Sequence, residues 1–294
     1  MGSFGGGVAA SGEAREEDVR IITDDGVGLE VVSRGAGPAL LLVHGFGGAK
    51  EDFSDQVDDL ALDHQVITLD LRGHGESDGP EDEACYSLDR FAADLFNVVD
   101  ALGLTTFRLL GHSMGGMIVR RFVLAAPDRV DALVLMDTSP GPPPGLDSDI
   151  IDLGVEIANA DGMAELKRVM DAFAPLDTPA YQRSLAERPG YRDFADAKWE
   201  TLSRAMYTQM LVEVRDQPDQ LAELAGVRCP TLVMVGVQDT TFVGVSEAMA
   251  ATIPDSRLVI IEDAGHSPQF ENGSVWIEVL RDFLADVDAQ STAA

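Results

Sequence analysis

Short runs of apolar residues alternate with longer amphipathic stretches along most of the chain. Six of these runs are apolar at nearly every position, and they cover residues 40–43, 66–70, 107–110, 132–136, 231–235 and 257–261. Strands that are apolar on both faces are typical of a parallel sheet covered by helices on both sides. The pattern therefore predicts an α/β fold with a mostly parallel central sheet and helices on both faces.

The segments around these strands predict one hairpin and three helices. Residues 20–23 and 29–33 flank the turn-forming sequence Asp-Asp-Gly-Val-Gly, which indicates a β-hairpin before the first buried strand. Ser87 is a good N-cap for a helix whose apolar residues recur every three to four positions. A further helix is expected over residues 113–126, and a C-terminal helix over residues 274–284.

A long segment, residues 147–216, breaks the alternation of strand and helix. It follows a stretch rich in Pro and Gly, and it contains helical patterns but no convincing strand. Open α/β sheets bind ligands at the carboxyl ends of their strands, so we expect this segment to form a helical lid there. We divide the chain into a core of residues 19–140 and 217–286, an inserted helical lid of residues 141–216, and a disordered tail of residues 1–18.

Composition excludes several classes of protein. The chain has 294 residues with 21 Lys and Arg against 51 Asp and Glu, a net charge of −30, which argues against partnership with nucleic acids or anionic membranes. Its two cysteines, Cys85 and Cys229, are too few and too far apart for a disulfide framework or a metal cluster. No apolar run approaches the ~18 residues of a membrane span, and residues 1–18 lack the features of a secretory signal. We therefore expect a cytoplasmic protein.

The strongest chemical signal is the sequence Gly-His-Ser-Met-Gly-Gly at residues 111–116. It lies where a predicted strand turns into a predicted helix, which is the context that the G-x-S-x-G nucleophile motif requires. The helix would point its N-terminus and free N–H groups at Ser113, an arrangement that favours developing negative charge. Ser113 is therefore the candidate nucleophile.

A serine at its ordinary pKa needs a base, and the chain offers five histidines. Elimination leaves His266, which follows the last predicted strand and lies in a loop at the carboxyl edge of the sheet. His64 lies in a polar stretch before a strand and is expected to be exposed. The remaining three are interpreted as structural residues that shape turns or pack beside the sheet: His44, His74 and His112.

The base in turn needs a carboxylate that holds its tautomer and stabilises its cation. With a nucleophile on this type of turn, the acid follows the serine and precedes the histidine in the chain. Asp239 and Asp137 both stand at strand ends in that interval. We favour Asp239, because its loop directly follows the penultimate strand, and interpret Asp137 as a polar group that ends a strand or lines the pocket.

Attack on a carbonyl carbon produces an oxyanion, which needs preorganised hydrogen-bond donors. One donor is expected to be the backbone N–H of Met114, directly after the nucleophile. The second is expected to be the backbone N–H of Phe46, in the sequence His-Gly-Phe-Gly-Gly at residues 44–48, whose glycines permit a close approach.

Taken together, five motifs resemble those of the α/β-hydrolase fold family. They are HGFGG at residues 44–48, DLRGHGESD at 70–78, GHSMGG at 111–116, VGVQD at 235–239 and AGHSPQFEN at 264–272. The chain is most similar to the bacterial esterase, lactonase and cofactor-free haloperoxidase branch, over about residues 21–284 apart from the lid. The resemblance implies the triad Ser113, Asp239 and His266 and the oxyanion donors Phe46 and Met114.

The same resemblance narrows the reaction. Haloalkane dehalogenases and epoxide hydrolases of this family use Asp in place of Ser113, so both are disfavoured. Carbon–carbon hydrolases of the family usually have Asn before the nucleophile, where this chain has His112. The chain shows no zinc or calcium spacing and no phosphate-binding loop, so no metal or cofactor is implied.

We therefore expect a cofactor-independent serine hydrolase that cleaves a small-molecule carboxylic ester or lactone through an acyl-enzyme. Two alternatives stay open. One is hydrolysis of a carbon–carbon bond next to a ketone, and the other is a ligand-binding receptor that retains the triad without turnover. The sequence leaves the substrate and the oligomeric state open.

Overall fold

An eight-stranded sheet forms the centre of the computed structural model, which describes residues 16–173 and 177–293. The strands are Glu16–Ile22 (β1), Gly28–Gly35 (β2), Ala39–Val43 (β3), Gln65–Leu69 (β4), Phe107–His112 (β5), Val130–Met136 (β6), Thr231–Gly236 (β7) and Ser256–Ile261 (β8). Their order across the sheet is β1-β2-β4-β3-β5-β6-β7-β8. Strand β2 is antiparallel to β1 and to β4, and every other pairing is parallel. The predicted mostly parallel sheet is confirmed.

The predicted hairpin is strands β1 and β2, and it begins earlier than the sequence indicated. Residues 16–18, which we assigned to the tail, belong to β1, where Glu16 pairs with Arg34 and Asp18 with Val32. The side chains of Glu16 and Arg34 also form an ion pair, which a single-sequence pattern of acidic residues does not reveal. The rest of the expected tail, residues 1–15, lies outside the described residues.

Helices cover both faces of the sheet, as the apolar strands predict. They are Ser54–Leu60 (α1), Leu88–Ala101 (α2), Met114–Ala125 (α3), Ser148–Ala160 (α4), Met163–Phe173 (α5), Pro179–Glu187 (α6), Tyr191–Glu200 (α7), Arg204–Asp216 (α8), Thr240–Thr252 (α9), Pro268–Glu271 (α10) and Gly273–Ala293 (α11). Buried side chains of α2, α3 and α8 fill the core on one face, and those of α1 and α11 fill the other.

The start of α2 is set by a local hydrogen bond, whereas the end of α11 is set by tertiary contacts. Helix α2 begins where it was predicted, because the Ser87 hydroxyl accepts a hydrogen bond from the Arg90 N–H at 3.0 Å. Helix α11 runs nine residues beyond its predicted end at residue 284. Val287 in this extension is buried, and Asp288 pairs with the buried Arg108, so packing extends the helix past the last strong apolar repeat.

His64 is buried rather than exposed, which corrects the expectation from its polar surroundings in the sequence. Its Nε2 atom lies against the guanidinium of Arg108, a residue of β5 that is distant along the chain. Burial lowers the pKa of the His64 imidazole, with Arg108 acting in the same direction.

None of the helices in the described part of the chain combines the length and apolar character needed to cross a membrane.

Five helices, α4 to α8, lie between β6 and β7 and form the insertion that the sequence indicated. Tyr207 of α8 packs edge-on against Phe46, in the loop after β3, with ring centroids 4.8 Å apart. Arg183 of α6 donates to the carbonyl of Asp263, in the loop after β8. The insertion therefore contacts loops at the carboxyl ends of the strands.

The insertion is also fastened at both of its ends by one residue of the core. Arg120 of α3 is buried, and it donates to the Ser139 carbonyl at 3.4 Å and to Gln217 Oε1 at 2.9 Å. Burial lowers the pKa of Arg120 to about 9, and Arg121 acts in the same direction. Ser139 precedes α4 and Gln217 follows α8, so this one guanidinium joins the entry and the exit of the insertion.

Candidate active site

The candidate nucleophile lies on a tight turn between β5 and α3. Ser113 has φ 55° and ψ −119°, a conformation that costs energy for any residue with a Cβ atom. The neighbouring glycines make the turn possible, since a Cβ at Gly111 would overlap the carbonyl of Gly115, and a Cβ at Gly115 would overlap the carbonyl of Val43. The strand–turn–helix context predicted for the motif is therefore present, and α3 starts directly after the serine.

Three of the predicted site residues form one hydrogen-bonded chain. The Oγ atom of Ser113 lies 3.0 Å from Nε2 of His266, and Nδ1 of His266 lies 2.7 Å from Oδ2 of Asp239. Because a carboxylate only accepts, Nδ1 carries the proton and Nε2 is left to accept from the serine hydroxyl. The arrangement can take a proton from Ser113 and hold the resulting imidazolium beside a carboxylate.

The pairing of β7 with β8 explains why Asp239 and His266 meet. Each residue follows one of these adjacent parallel strands, as the sequence predicted. Their loops are joined by a hydrogen bond from the Gln238 N–H to the Ala264 carbonyl at 2.8 Å, and they approach so closely that a Cβ at Gly236 would overlap Gly265. The side chains of His266 and Asp239 are 15% and 8% exposed, so their bond is largely shielded from water.

Asp137 lies beside this pair but, among the described residues, forms no hydrogen bond with His266. It is completely buried, and its Oδ1 accepts from the Gly236 N–H at 3.0 Å. Burial raises the pKa of Asp137 well above its ordinary value, and the nearby Asp239 carboxylate raises it further. The hydrogen bond to His266 is thus made by the acid that the sequence favoured.

The two expected oxyanion donors belong to the first turn of α3 and to the loop after β3. Met114 is the first residue of α3, so its N–H has no acceptor within the helix. In the described part of the chain, no hydrogen bond is formed by the N–H of Phe46. The loop that carries Phe46 passes close to the serine, since a Cβ at Gly45 would lie 2.9 Å from the Cβ of Ser113. Both N–H groups are therefore available to an incoming oxygen.

Two buried histidines hold the Phe46 loop in place, which agrees with their structural interpretation. Nε2 of His44 accepts from the Leu71 N–H at 3.0 Å, and Nε2 of His74 accepts from the Gly47 N–H at 3.3 Å. Burial lowers the pKa of both imidazoles, so both stay neutral and can accept. Their role is to fix a backbone that the candidate oxyanion site needs.

His112 has a role that the sequence did not reveal. Its Nε2 donates to the main-chain carbonyl of His266 at 2.7 Å, so it fastens the loop that carries the candidate base. Burial lowers the pKa of His112 to about 3. The sequence shows only that His112 precedes Ser113. It does not reveal this hydrogen bond, because the partner lies 154 residues further along the chain.

A partly buried ion pair joins the insertion to the same region, and the sequence did not reveal it either. Lys198 of α7 lies 2.6 Å from Asp52, and its ammonium sits 4.5 Å above the ring of Phe194. A Cβ at Gly48 would overlap the Asp52 carboxylate, so this pair adjoins the loop of the candidate oxyanion donor. Neither residue belongs to a motif, so only the tertiary structure brings them together.

One cluster among the described residues has the composition of a cation site. One ligand atom each of Asp137, Asp239 and His266 lie within 4.8 Å of one another. However, Nδ1 of His266 and Oδ2 of Asp239 already share a hydrogen bond of 2.7 Å. Two of the atoms that would bind a metal are therefore already hydrogen-bonded to each other, and we interpret the cluster as part of a hydrogen-bond network.

Comparison with known proteins gives a consistent picture. Residues 38–273 match the model of a family described as alpha/beta hydrolase fold. A hydrolase from Pseudomonas aeruginosa PA01 is 30% identical with a TM-score of 0.79, covering 91% of this chain and 98% of its own. A thermophilic esterase from Thermogutta terrifontis is 29% identical with a TM-score of 0.81, covering 92% and 99%. A Bacillus subtilis (strain 168) protein, provisionally named 2-succinyl-6-hydroxy-2,4-cyclohexadiene-1-carboxylate synthase, is 29% identical over 92% of this chain and 99% of its own.

Proposed function

The chain is an enzyme of the α/β-hydrolase fold family, and we propose that it hydrolyses a small-molecule carboxylic ester or lactone with Ser113 as the nucleophile. The observation that carries this proposal is the continuous hydrogen-bonded chain from Asp239 through His266 to Ser113, with links of 2.7 and 3.0 Å. The similarity to an esterase over nearly the whole chain supports the choice of an ester.

In the proposed reaction, Oγ of Ser113 attacks the carbonyl carbon while Nε2 of His266 takes the hydroxyl proton. The carbonyl oxygen becomes an oxyanion, which the N–H groups of Phe46 and Met114 stabilise. Collapse of this intermediate breaks the bond to the leaving oxygen, which receives the proton from His266, and leaves an acyl group on Ser113. Water, deprotonated by His266, then attacks the acyl carbon and releases the acid.

The surroundings of the nucleophile favour an uncharged, apolar acyl group. Phe46 packs edge-on against Tyr207, whose ring is in turn 5.2 Å from that of Trp199. Beside the base, the ring of Phe242 lies 5.2 Å from the His266 ring. Phe46 and Phe242 thus place apolar surface next to the candidate nucleophile and base, which favours apolar groups, and a chain with a net charge of −30 repels anionic substrates.

The first prediction tests the nucleophile with a panel of short and long acyl esters, lactones and a ring-fission ketone. We expect steady turnover of at least one ester or lactone, and Ser113→Ala should lower its kcat by ~10⁴ or more, because triad members act as a unit. The exposed Ser274, on α11, provides the matched control, and Ser274→Ala should leave kcat unchanged.

Other outcomes of the panel would replace the proposal. Turnover of the ketone without any ester would indicate hydrolysis of a carbon–carbon bond. Saturable binding without repeated turnover of any compound would indicate a receptor that retains the triad. An ester activity that survives in folded Ser113→Ala would show that another residue is the nucleophile.

A further inference from the structure

Asp137 combines three features that its position at a strand end does not require. It is completely buried at the carboxyl end of β6, and its φ is +45°. Its Oδ1 accepts from the Gly236 N–H, whereas its Oδ2 has no hydrogen-bond partner within the described residues. Burying an ionised carboxylate costs free energy when one of its oxygens has no hydrogen bond, because that oxygen loses its hydration without compensation.

The charged groups that face Asp137 come from three neighbouring elements, and most are acidic. They are Asp239 in the loop after β7, Glu271 in α10 and the imidazole of His266 in the loop after β8. The His266 imidazole is already paired with Asp239. Two adjacent carboxylates that share one site do not both ionise, and the more deeply buried one keeps its proton.

We propose that Asp137 is a positioning residue, whose retained proton on Oδ2 is donated to the carboxylate of Asp239. One carboxylate oxygen of Asp137 lies within 4.8 Å of one of Asp239. Oδ1 of Asp137 is already held by the Gly236 N–H, so Oδ2 is the atom left to donate. Asp239 then accepts from Asp137 as well as from His266, and both bonds fix its orientation. This inference rests on the proposed function, because it takes Asp239 as the acid that holds the catalytic histidine.

A simpler explanation is that an aspartate occupies position 137 only because the backbone there has a positive φ. Asp, Asn and Gly all tolerate a positive φ better than other residues do, so any of the three would fit the turn. The three differ in the side chain. Asn reproduces the protonated acid, with an oxygen for the Gly236 N–H and an N–H₂ group for Asp239, while Gly keeps the backbone and removes both contacts.

The test is therefore a matched pair of variants, Asp137→Asn and Asp137→Gly, assayed on the ester that the wild-type enzyme hydrolyses. Asp137→Asn should keep kcat within about threefold, because the amide donates in the same direction. Asp137→Gly should lower kcat by about 10- to 100-fold, the range for one lost hydrogen bond to a charged group, and leave KM within about twofold.

Two kinetic outcomes would overturn the proposal while ester hydrolysis stands. Equal kcat values for folded Asp137→Gly and Asp137→Asn would show that only the backbone conformation matters. A large loss of kcat in Asp137→Asn, together with a nearly unchanged kcat in Asp239→Asn, would show that Asp137 is itself the ionised acid of the triad.

A measurement without turnover separates this inference from the proposed function. Infrared spectra of the wild-type protein near neutral pH should contain the carbonyl stretch of a protonated, buried carboxyl group that is missing from Asp137→Asn. This band is expected even if no ester is hydrolysed. In that case the inference about Asp137 stands and the proposed function fails. Identical spectra for the two proteins would show that Asp137 is ionised, and the proposal would be wrong.

Discussion

At the scale of single residues, one hydrogen bond distinguishes the two buried aspartates next to the candidate base. Oδ2 of Asp239 lies 2.7 Å from Nδ1 of His266, while Asp137 holds the Gly236 N–H instead. The sequence placed both residues at strand ends and could only rank them by loop position. Side-chain placement decides which of the two bonds to the candidate base, and that placement depends on how β6, β7 and β8 are packed side by side.

We therefore predict that Asp239→Asn lowers kcat by ~10²–10⁴, because the amide cannot stabilise the imidazolium and favours the wrong tautomer of His266. The measurement is kcat for Asp239→Asn, Asp137→Asn and the double variant under identical conditions. The double variant should be no slower than Asp239→Asn alone, since Asp137 acts through Asp239. Full activity in Asp239→Asn would remove it from the triad.

At the scale of elements, the insertion is less separable than its position between two strands implies. Five side chains of the segment that includes α8 are buried in the core of the main domain: Leu202, Ala205, Met206, Tyr207 and Met210. Met206 packs against the turn at Gly73, in the loop after β4. The sequence pattern locates the insertion, but it does not distinguish a loosely placed lid from helices that complete the core.

The pair Lys198–Asp52 tests how firmly the insertion is attached to the loop of the candidate oxyanion donor. Asp52 is 6% exposed and Lys198 is 18% exposed, so this pair is only partly screened by water. Lys198→Met should lower the free energy of unfolding by about 1–3 kcal/mol, because it leaves a nearly buried carboxylate without its cation.

The control for this prediction is a double-mutant cycle with Asp52→Asn. Lys198→Met combined with Asp52→Asn should recover part of the lost stability, since no uncompensated charge remains. Urea unfolding of the four proteins gives the coupling energy directly. Additive effects of the two substitutions would mean that the ion pair does not fasten the insertion.

At the scale of the whole molecule, buried histidines make stability depend on pH. Burial lowers the pKa values of four histidines, His44, His64, His74 and His112, the last to about 3. The unfolded chain takes up protons below its ordinary histidine pKa of about 6.5, whereas the folded chain does not until lower pH. Stability is therefore present above about pH 6.5 and is lost as the pH falls towards the folded-state values.

The expected loss is about 1.4 kcal/mol per pH unit for each such histidine once the pH is well below 6.5. Asp137 opposes this loss, because its raised pKa makes the folded chain bind an extra proton and offsets one of the four histidines. The raised pKa values of Asp94 and Glu271 act in the same direction as that of Asp137. Urea unfolding between about pH 7 and about pH 5, in high salt to screen the net charge, measures the slope. A free energy of unfolding that stays level or rises over this range would contradict the prediction.

The sequence alone determined the fold class, the six parallel strands and the strand–turn–helix segment that carries the candidate nucleophile. These follow from local causes, since apolar periodicity sets strand and helix, and glycines at residues 111 and 115 are required by the turn itself. The catalytic roles of Ser113, His266 and Asp239 stay predictions, although the structure brings the three side chains together. Chain order and loop position were enough to select them, because neighbouring parallel strands end at the same edge of the sheet.

Only the tertiary structure decided the contacts between residues that are far apart along the chain. The bond from His112 to the His266 carbonyl, the proximity of Asp137 to Asp239 and the pairing of Lys198 with Asp52 span separations of 102 to 154 residues. Burial of His64 against Arg108, 44 residues further along the chain, belongs to the same class. Local patterns carry no information about such contacts, because distant side chains meet only when the packed sheet and helices fix their positions in space.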